Sequence, residues 1–366
     1  MTTDLANIDE LKEYLQKTPF ASDGIDVLSG GTGNFACRVT LRAPYEGVST
    51  AIVKHAKAYI FSTRDTSRLP FGLQRQKYEV EALKQVKSLL PADSLVTVPK
   101  VYFFDDKENV IIMEDSGLHS VPFKQLVMNG RCAPELGTKI GTALGDFLGK
   151  LHSWGKENIS QVVDSFGAHQ EAKTLSGWAT YGRLVSTLDG SEELEALSGS
   201  ALNVSAEDLD VVRDVGEKTQ KVMLSAQETF LMGDFWPGNI LVCLDDSGDL
   251  QRMYVIDWEL TKPGLAGWDI GQLLAELDLL RRFHPSEREP VSKAISSFYE
   301  SYSQAYPTDL DLWKTAVTHW GNHLVVWTPR VVWGDKQTTR ETVLSGVKMI
   351  VDGQNGSSED IYRLLM

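Results

Sequence analysis

The chain has 366 residues, 42% of them hydrophobic, and its 36 basic and 50 acidic side chains give a net charge of −14. This length and apolar content are enough for two domains or one large bilobal unit, and they argue against a disordered chain. The acidic balance argues against a nucleic-acid-binding surface, which normally carries a basic patch. No segment has the apolar length of a signal peptide or a transmembrane helix, and the spacing of Cys37, Cys132 and Cys243 does not suit a metal site. We therefore expect a cytoplasmic protein with reduced thiols that binds neither nucleic acid nor a membrane.

The first part of the chain contains a glycine-rich turn between two predicted strands. Gly30, Gly31, Gly33 and Asn34 precede a segment in which apolar and polar residues alternate, which is the periodicity of a strand. A dinucleotide-binding fingerprint would need a helix there instead. The order strand, glycine-rich turn, strand predicts either a flap whose backbone N–H groups bind nucleotide phosphates or an ordinary hairpin.

The next predicted strand ends in Lys54, and the helix after it carries two glutamates. In a kinase-like lobe such a lysine contacts the α- and β-phosphates of ATP and is held by a glutamate of the following helix. A charge on an edge strand is the alternative. Helical periodicity over 77–90 puts Glu79 and Glu81 on different faces, so only one can meet Lys54, and we favour Glu79. The polar connection 60–73 is a candidate mobile loop.

Two further strands complete a predicted lobe of five strands and one helix, which ends at a polar segment. We therefore predict an N-terminal nucleotide-binding lobe over 1–113, a hinge over 114–117 and a C-terminal catalytic and acceptor-binding lobe over 118–366. The hinge, with Glu114 and Ser116, is predicted to bind the adenine of ATP through its backbone. A simple domain boundary would produce the same sequence pattern.

From Pro134 onwards the periodicity becomes helical. Apolar residues recur at i, i+3, i+4 and i+7 between 140 and 151, and helical patterns return around 171–189 and in several later segments. His152 is predicted to be a hydrogen-bonded structural residue rather than a catalyst. This part of the chain is therefore predicted to be a mainly helical second lobe.

The apolar runs ILVC and MYVI are predicted to form the two strands of a β-hairpin. The loops next to this hairpin carry the polar residues that indicate a chemical function most clearly. Asp234 and Asn239 lie in the loop before the first strand, and Asp257 and Glu259 follow the second. Their oxygen atoms are the donors that Mg²⁺ prefers, and Asp-x-x-x-x-Asn followed by a second Asp is typical of protein-kinase-like phosphoryl transfer. A solvated acidic loop is the alternative. Asp269, in the first turn of a later helix, either interacts favourably with the helix N-terminus or anchors the catalytic loop.

Several segments together resemble a known enzyme family: LSGGTGN, VKHA, YEVEAL, VIIMED, LGKLHSW, LMGDFWPGNIL, VIDWE and PGLAGWDIGQLL. They are similar to the aminoglycoside phosphotransferase and choline kinase-like small-molecule kinases over nearly the whole chain. Through RAPYEG, VKHA, LHSWGKE, DWELTK and VVWTPRVVWG, the chain looks within this family most like the methylthioribose kinase branch and, more particularly, the 4-hydroxytryptamine kinases. The resemblance implies an α+β, protein-kinase-like bilobal fold with a small β-rich N-lobe and a larger helical C-lobe. It also implies ATP- and Mg²⁺-dependent transfer of the γ-phosphate to a hydroxyl of a small molecule.

The same resemblance implies a role for each matching residue. Asp234 looks like the catalytic aspartate, and Lys54 with Glu79 resembles the phosphate-binding ion pair. The expected metal ligands are Asn239, Asp257 and Glu259. The family usually has His-Gly-Asp before the catalytic position, and Met232 stands where the histidine would be; we interpret the change as a feature of this branch.

Two other classes of function are alternatives to an active kinase. A kinase-like binding module that has lost its chemistry would be expected to lack Asp234, Asn239, Asp257 or Lys54, and all four residues are present. A metal-dependent hydrolase would need a cluster of His and Asp with ligand spacing, which the sequence does not contain.

The acceptor is predicted to be a 4-hydroxytryptamine-like aromatic amine or a methylthioribose-like sugar. Tryptophan side chains of the predicted second lobe, together with acidic charge, favour a cationic aromatic amine. Any one of these tryptophans is more often a core residue than a ligand contact. They are Trp178, Trp268, Trp320, Trp327 and Trp333.

Overall fold

The computed structural model describes residues 4–28, 34–59 and 71–365. Within them the chain forms two compact units, an N-terminal unit of residues up to 120 together with 254–259, and a C-terminal unit of 121–253 and 260–366. The predicted flap glycines Gly30, Gly31 and Gly33 lie outside the described residues, as does 60–70 of the predicted mobile loop.

The N-terminal unit contains a five-stranded antiparallel sheet in the order β1-β2-β3-β6-β5. Its elements are α1 (Ile8–Leu15), β1 (Ser22–Val27), β2 (Asn34–Tyr45), β3 (Val48–Ala56), α2 (Arg75–Leu89), β4 (Val96–Thr97), β5 (Val101–Asp105) and β6 (Val110–Glu114). In β2, Cys37, Val39 and Leu41 alternate with more exposed residues, so that one face of the strand joins the core. Leu11 and Leu15 of α1 belong to the same apolar cluster and cover that face.

The C-terminal unit is mainly helical, with short strands around the predicted hairpin. Its elements are β7 (Val121–Pro122), α3 (Phe123–Met128), α4 (Pro134–Glu157), α5 (Ile159–Phe166), α6 (Gln170–Gly177), α7 (Leu184–Leu188), α8 (Ala206–Ser225), β8 (Thr229–Leu231), β9 (Ile240–Leu244), β10 (Leu250–Val255), β11 (Lys262–Gly264), α9 (Gly267–Phe283), α10 (Arg288–Ala305), α11 (Leu310–Trp327), α12 (Lys336–Asn355) and α13 (Ser358–Leu365). A π-helical turn, Trp178–Gly182, separates α6 from α7. β10 begins in this unit, and its last residues belong to the N-terminal unit.

Helices α4 and α10 pack with their backbones in direct contact along a row of glycines. A Cβ atom at Gly137, Gly141 or Gly145 would lie 2.2–2.5 Å from a carbonyl oxygen of α10, and one at Gly149 would lie 2.6 Å from Ala305 Cβ. The four glycines are spaced four residues apart, so they share one face of α4. We call them the glycine row; each position has room for a hydrogen atom only.

The observed elements agree with the fold class expected from the sequence. The strands of the N-terminal unit and the helical C-terminal unit confirm the predicted α+β class, and the predicted hairpin is present as β9 and β10. In the described part of the chain, no helix combines the length and apolarity that crossing a membrane requires.

Candidate active site

Lys54 lies in a buried cluster of charges in the N-terminal unit. Its Nζ is 2.6 Å from Glu79 Oε1 and also donates to Asp257 Oδ1, and its side chain is only 6% exposed. Gln76 Nε2 donates to the backbone oxygen of Lys54 and ties α2 to β3. Glu81 is instead exposed and accepts a hydrogen bond from its neighbour Gln85. The structure therefore pairs Lys54 with Glu79 rather than Glu81.

The charges of this cluster depend on one another. Burial raises the pKa of Glu79 to about 7, and the repulsion of Asp257 and Glu259 adds to this effect while Lys54 opposes it. Burial also opposes the charge on Lys54, but the carboxylates of Asp257 and Glu79 outweigh burial and raise the pKa of the lysine. Lys54 is therefore charged throughout the physiological pH range.

Asp257, two residues after the end of β10, has an unusual backbone conformation. Its φ of 69° lies in the left-handed region, which asparagine and aspartate tolerate better than other non-glycine residues. Such conformations cost free energy and are concentrated at functional sites. The side chain of Asp257 is 30% exposed, whereas that of its partner Lys54 is almost fully buried.

Arg75, which no sequence motif indicates, binds Glu259 and Asn34 next to this cluster. Its guanidinium is completely buried, donates to Glu259 Oε2 (2.9 Å) and to Asn34 Oδ1 (3.1 Å), and caps the backbone oxygens of Lys57, Phe71 and Gly72. Asn34 Nδ2 donates to the same Glu259 oxygen at 2.6 Å. Glu259 thus binds Arg75 and Asn34, and its role as a metal ligand stays a prediction.

The carboxylates of the predicted hinge are engaged within the N-terminal unit. Glu114 accepts hydrogen bonds from Lys87 Nζ, the Lys100 N–H and the Tyr254 hydroxyl, and Asp115 forms a two-point ion pair with Arg38. Ser116 Oγ lies 2.7 Å from Ser120 Oγ. An adenine contact at this segment would therefore involve its backbone rather than these carboxylates.

In the C-terminal unit the loop before β9 is fixed through its backbone. Asp269 in the first turn of α9 accepts the N–H groups of Met232 (2.9 Å) and Gly233 (3.0 Å), so it anchors the loop, which was one of the two predicted roles. Gly233 has a φ of 83°, and a Cβ there would lie 2.2 Å from Leu260 O. The buried Met232, at the position of the family histidine, contributes its backbone N–H to this anchor.

The carboxylate of Asp234 is held by two side-chain amides. Asn239 Nδ2 donates to Oδ2 at 2.9 Å and to the backbone oxygen of Asp234 at 3.1 Å. Gln272 Nε2, on α9, donates to Oδ1 at 2.6 Å. Both carboxylate oxygens are therefore oriented, and the amide nitrogen of Asn239 is committed to Asp234, which leaves its carbonyl oxygen as the atom that can meet a cation.

His152 and Lys262 lie close to this anchored loop. His152 Nδ1 is 2.8 Å from the Tyr302 hydroxyl, and its Nε2 is 3.5 Å from Asp269 Oδ2, which is the buried, hydrogen-bonded environment expected of a structural histidine. Lys262 Nζ donates to Ser176 Oγ and Leu260 O. Burial lowers the pKa of Lys262 to about 8, although the negative charges of Asp269 and Asp234 oppose that shift.

Several tryptophans of the C-terminal unit lie against cations of the protein itself. The Arg183 guanidinium lies 5.0 Å from the Trp178 ring centre and 4.9 Å from that of Trp327. Lys124 Nζ lies 3.8 Å from the Trp333 ring centre and 3.2 Å from Glu276 Oε2. These ring faces are therefore already in contact with positive charge.

The other two predicted acceptor tryptophans are buried. Trp320 donates from Nε1 to Asp278 Oδ2. Trp268 lines a cavity of about 420 Å³ together with Tyr181, Leu265 and residues of α8, α11 and α12. Neither environment by itself identifies an acceptor site.

The candidate metal ligands do not include a compact cluster of protein donors. Over the ranges 4–28, 34–59 and 71–365, no three His, Cys, Asp or Glu side chains are grouped closely enough to hold an ion by themselves.

Comparison with known proteins identifies the family to which the chain belongs. The phosphotransferase enzyme family matches residues 61–313. The chain is 31% identical to the 4-hydroxytryptamine kinase of Psilocybe cyanescens, over 99% of this chain and 98% of that protein. It is 25% identical to the methylthioribose kinase of Geobacillus sp. (strain WCH70), over 82% and 70% of the two chains.

Among solved structures, the amicoumacin kinase hAmiN in complex with AMP-PNP, Ca²⁺ and Ami covers 98% of this chain and 97% of its own, with a TM-score of 0.50 and 14% identity. At this identity the likeness concerns the fold alone, and it agrees with the protein-kinase-like fold expected from the sequence. The chain therefore belongs to the phosphotransferase enzyme family, and it is a small-molecule phosphotransferase with an alcohol group as acceptor.

Proposed function

We propose that the chain transfers the γ-phosphate of Mg²⁺-bound ATP to a hydroxyl of a small molecule, and that a hydroxylated tryptamine is its acceptor. The observation that carries this proposal is the Asp234 carboxylate, which lies on the loop anchored by Asp269. Its two oxygens accept hydrogen bonds from the side-chain amides of Asn239 and Gln272. A charged carboxylate in a fixed orientation is what a general base for a hydroxyl needs.

In the proposed reaction, the acceptor oxygen forms a bond to the γ-phosphorus, the bond from that phosphorus to the bridging oxygen breaks, and ADP leaves. Asp234 takes the proton of the acceptor hydroxyl. Lys54, held by Glu79, supplies positive charge to the α- and β-phosphates. Because the transition state is loose, the protein contributes mainly by positioning these groups and by neutralising charge.

The side chains present fit a divalent cation of the hard type. Mg²⁺ prefers oxygen ligands, and we propose the Asp257 carboxylate and the Asn239 carbonyl oxygen as two of them. Glu259 would contribute the oxygen that does not face Arg75 and Asn34. When bound with ATP, Mg²⁺ would neutralise part of the phosphate charge.

Two further contacts with the nucleotide are also proposals. The backbone of the segment with Glu114 and Ser116 is proposed to bind adenine. The turn with Gly30, Gly31 and Gly33 is proposed to bind the phosphates through its N–H groups.

The choice of acceptor rests on similarity rather than on the tryptophans. Arg183 and Lys124 already lie over the rings that suggested a cationic ligand, so the cation–π argument does not select an amine. The support is that the 4-hydroxytryptamine kinase of Psilocybe cyanescens is similar over 99% of the chain, whereas the methylthioribose kinase is similar over 82%.

An ADP-release assay with matched acceptors tests the proposal. The acceptors are 4-hydroxytryptamine, 5-hydroxytryptamine, tryptamine without a hydroxyl, and methylthioribose, and mass spectrometry identifies the phosphorylated product. We expect turnover with 4-hydroxytryptamine and none above background with tryptamine. A higher kcat/KM for methylthioribose would contradict the tryptamine assignment, and calorimetric binding of acceptors without any ADP release would favour an inactive binding module.

The variant Asp234→Asn separates catalysis from binding. The amide keeps the shape of the side chain but loses the charge and basicity, so we expect turnover to fall by a factor on the order of 10² to 10⁴, while ATP affinity in calorimetry stays near that of the unmodified protein. Loss of ATP binding together with turnover would instead identify Asp234 as a metal ligand. Unchanged turnover would mean that another group activates the acceptor.

A further inference from the structure

Gln272 in the second turn of α9 makes one hydrogen bond that bears directly on the reaction. Its Nε2 lies 2.6 Å from Asp234 Oδ1, and among the described residues this is the only hydrogen bond of its side chain. The other oxygen of the carboxylate accepts from Asn239 Nδ2. The carboxylate is therefore clamped between two amides that come from different parts of the unit, the loop itself and helix α9.

The loop does not need Gln272 to keep its backbone conformation. Asp269, three residues earlier on α9, already accepts the N–H groups of Met232 and Gly233. One helix thus holds the backbone of the loop with a carboxylate and the side chain of Asp234 with an amide. The contribution specific to Gln272 is the orientation of the carboxylate group.

Helix α9 is a firm support for such a contact. At Gly271, next to Gln272, a Cβ would lie 2.5 Å from Ala316 O of α11, so the two helix backbones are in contact and α9 has little freedom to shift. The terminal torsion of an aspartate side chain is broad when nothing holds it. A donor on a fixed helix restricts that torsion, and an amide donor cannot take up the proton that the carboxylate must accept.

We propose that Gln272 is a positioning residue that fixes the plane of the Asp234 carboxylate for the acceptor hydroxyl. This inference rests on the proposed function, in which Asp234 is the general base. Lys262 of β11, which interacts electrostatically with both Asp234 and Asp269, stays in place in the variants below.

The test uses Gln272→Met, which keeps the length of the side chain and removes the donor. Gln220→Met is the matched control, because Gln220 is also a half-buried helical glutamine with one side-chain donor bond, to Gly216 O in α8. We expect kcat of Gln272→Met to fall about tenfold with KM for ATP unchanged. In an Asp234→Asn background the same change should have no further effect, because it acts through the carboxylate.

A second readout needs no turnover. Crystal structures of the unmodified protein and of the variants compare the terminal torsion of the Asp234 side chain. Gln272→Met removes the donor to Oδ1, so the carboxylate of Asp234 should rotate or occupy more than one orientation. Gln220→Met should leave the orientation of the carboxylate unchanged.

The outcomes separate this inference from the proposed function. If the Asp234 carboxylate keeps one unchanged orientation in Gln272→Met, or if this variant loses as much activity in the Asp234→Asn background as in the unmodified protein, the inference is overturned. A lower melting temperature with an unchanged orientation of the carboxylate also overturns it, because that is the sign of a purely structural residue. If no hydroxyl acceptor is phosphorylated, the proposed function fails, and the crystal structures still decide whether Gln272 holds the carboxylate.

Discussion

Replacing Lys54 by methionine tests the buried charge cluster of the N-terminal unit most directly. The lysine and Glu79 are both buried, and their nitrogen and oxygen atoms are 2.6 Å apart. Removing one partner of such a pair usually costs about 3–5 kcal/mol, because the other charge is left without compensation. Here proton uptake by Glu79 would lower that cost, because the neutral carboxyl needs no compensating charge. Burial already raises the pKa of Glu79 to about 7.

Because Glu79 can take up a proton, the stability lost in Lys54→Met depends on pH, and the direction of that dependence can be predicted. A carboxyl whose folded pKa is raised above its unfolded value contributes stability at low pH and loses it as the pH rises through the folded pKa. Lys54 lowers the pKa of Glu79, so Lys54→Met raises it further, and keeping the proton costs about 1.4 kcal/mol for each additional pH unit. We expect the free energy of unfolding to fall by about 3 kcal/mol at pH 8 and by about 1 kcal/mol less at pH 7, because Glu79 of the unmodified protein also loses part of its proton between these pH values.

Urea unfolding at the two pH values measures this difference, and calorimetry measures ATP binding, which Lys54→Met should weaken. Glu79→Gln should weaken it more mildly. The chain provides the matched control Glu81→Gln two residues away, where the glutamate is exposed and accepts a hydrogen bond from Gln85. Its effect on the free energy of unfolding should stay within about 0.5 kcal/mol. Equal effects at 79 and 81, or a loss for Lys54→Met that does not vary with pH, would refute the reasoning.

Three further changes test other parts of the structure. Asp257→Asn suits the positive φ and keeps the shape but removes the charge, so steady-state assays at saturating Mg²⁺ should show turnover near background; normal turnover would exclude a metal-binding carboxylate at 257. The pKa of Lys262 is lowered to about 8 in the folded protein, so between pH 8 and 10 the unfolded chain binds more protons than the folded one. The free energy of unfolding of the unmodified protein should therefore rise by up to about 1.4 kcal/mol per pH unit over this range. Urea unfolding of Lys262→Met should not show this rise. Gly141→Ala puts a Cβ 2.2 Å from Ala294 O and should destabilise by about 3 kcal/mol or prevent folding, whereas Gly177→Ala meets atoms only at 3.7 Å and should be neutral or stabilising in thermal unfolding.

The sequence predicts the parts of this protein that depend on local pattern. The hairpin between β9 and β10 follows from two apolar runs around a turn, and it determines which loops carry Asp234 and Asp257. The choice of Glu79 over Glu81 follows from helix periodicity and agrees with the contact in the structure. The roles assigned to these residues in phosphoryl transfer stay predictions.

The contacts that the sequence does not reveal join distant segments. Arg75 and Glu259 are 184 residues apart, and Asp234 and Gln272 are 38 apart. Periodicity indicates which face of a helix is buried, but not which side chain of another element will meet it. A signal was present in each case: Arg75 lies four residues before Glu79 on the same face of α2, and Gln272 is a polar residue inside the apolar run of α9.

The glycine row also has a consequence for how the chain folds during synthesis. Four glycines lower the intrinsic helix stability of α4 by about 3–4 kcal/mol relative to alanine, so α4 depends on docking against α10 for its stability. Hydrogen bonds that join the two helices connect residues 150, 152 and 159 positions apart. While a ribosome makes the intervening chain, α4 has no partner and exposes apolar residues such as Ile140 and Leu144, which the finished fold buries. The C-terminal unit is therefore expected to fold late and to need protection from aggregation until α10 has emerged.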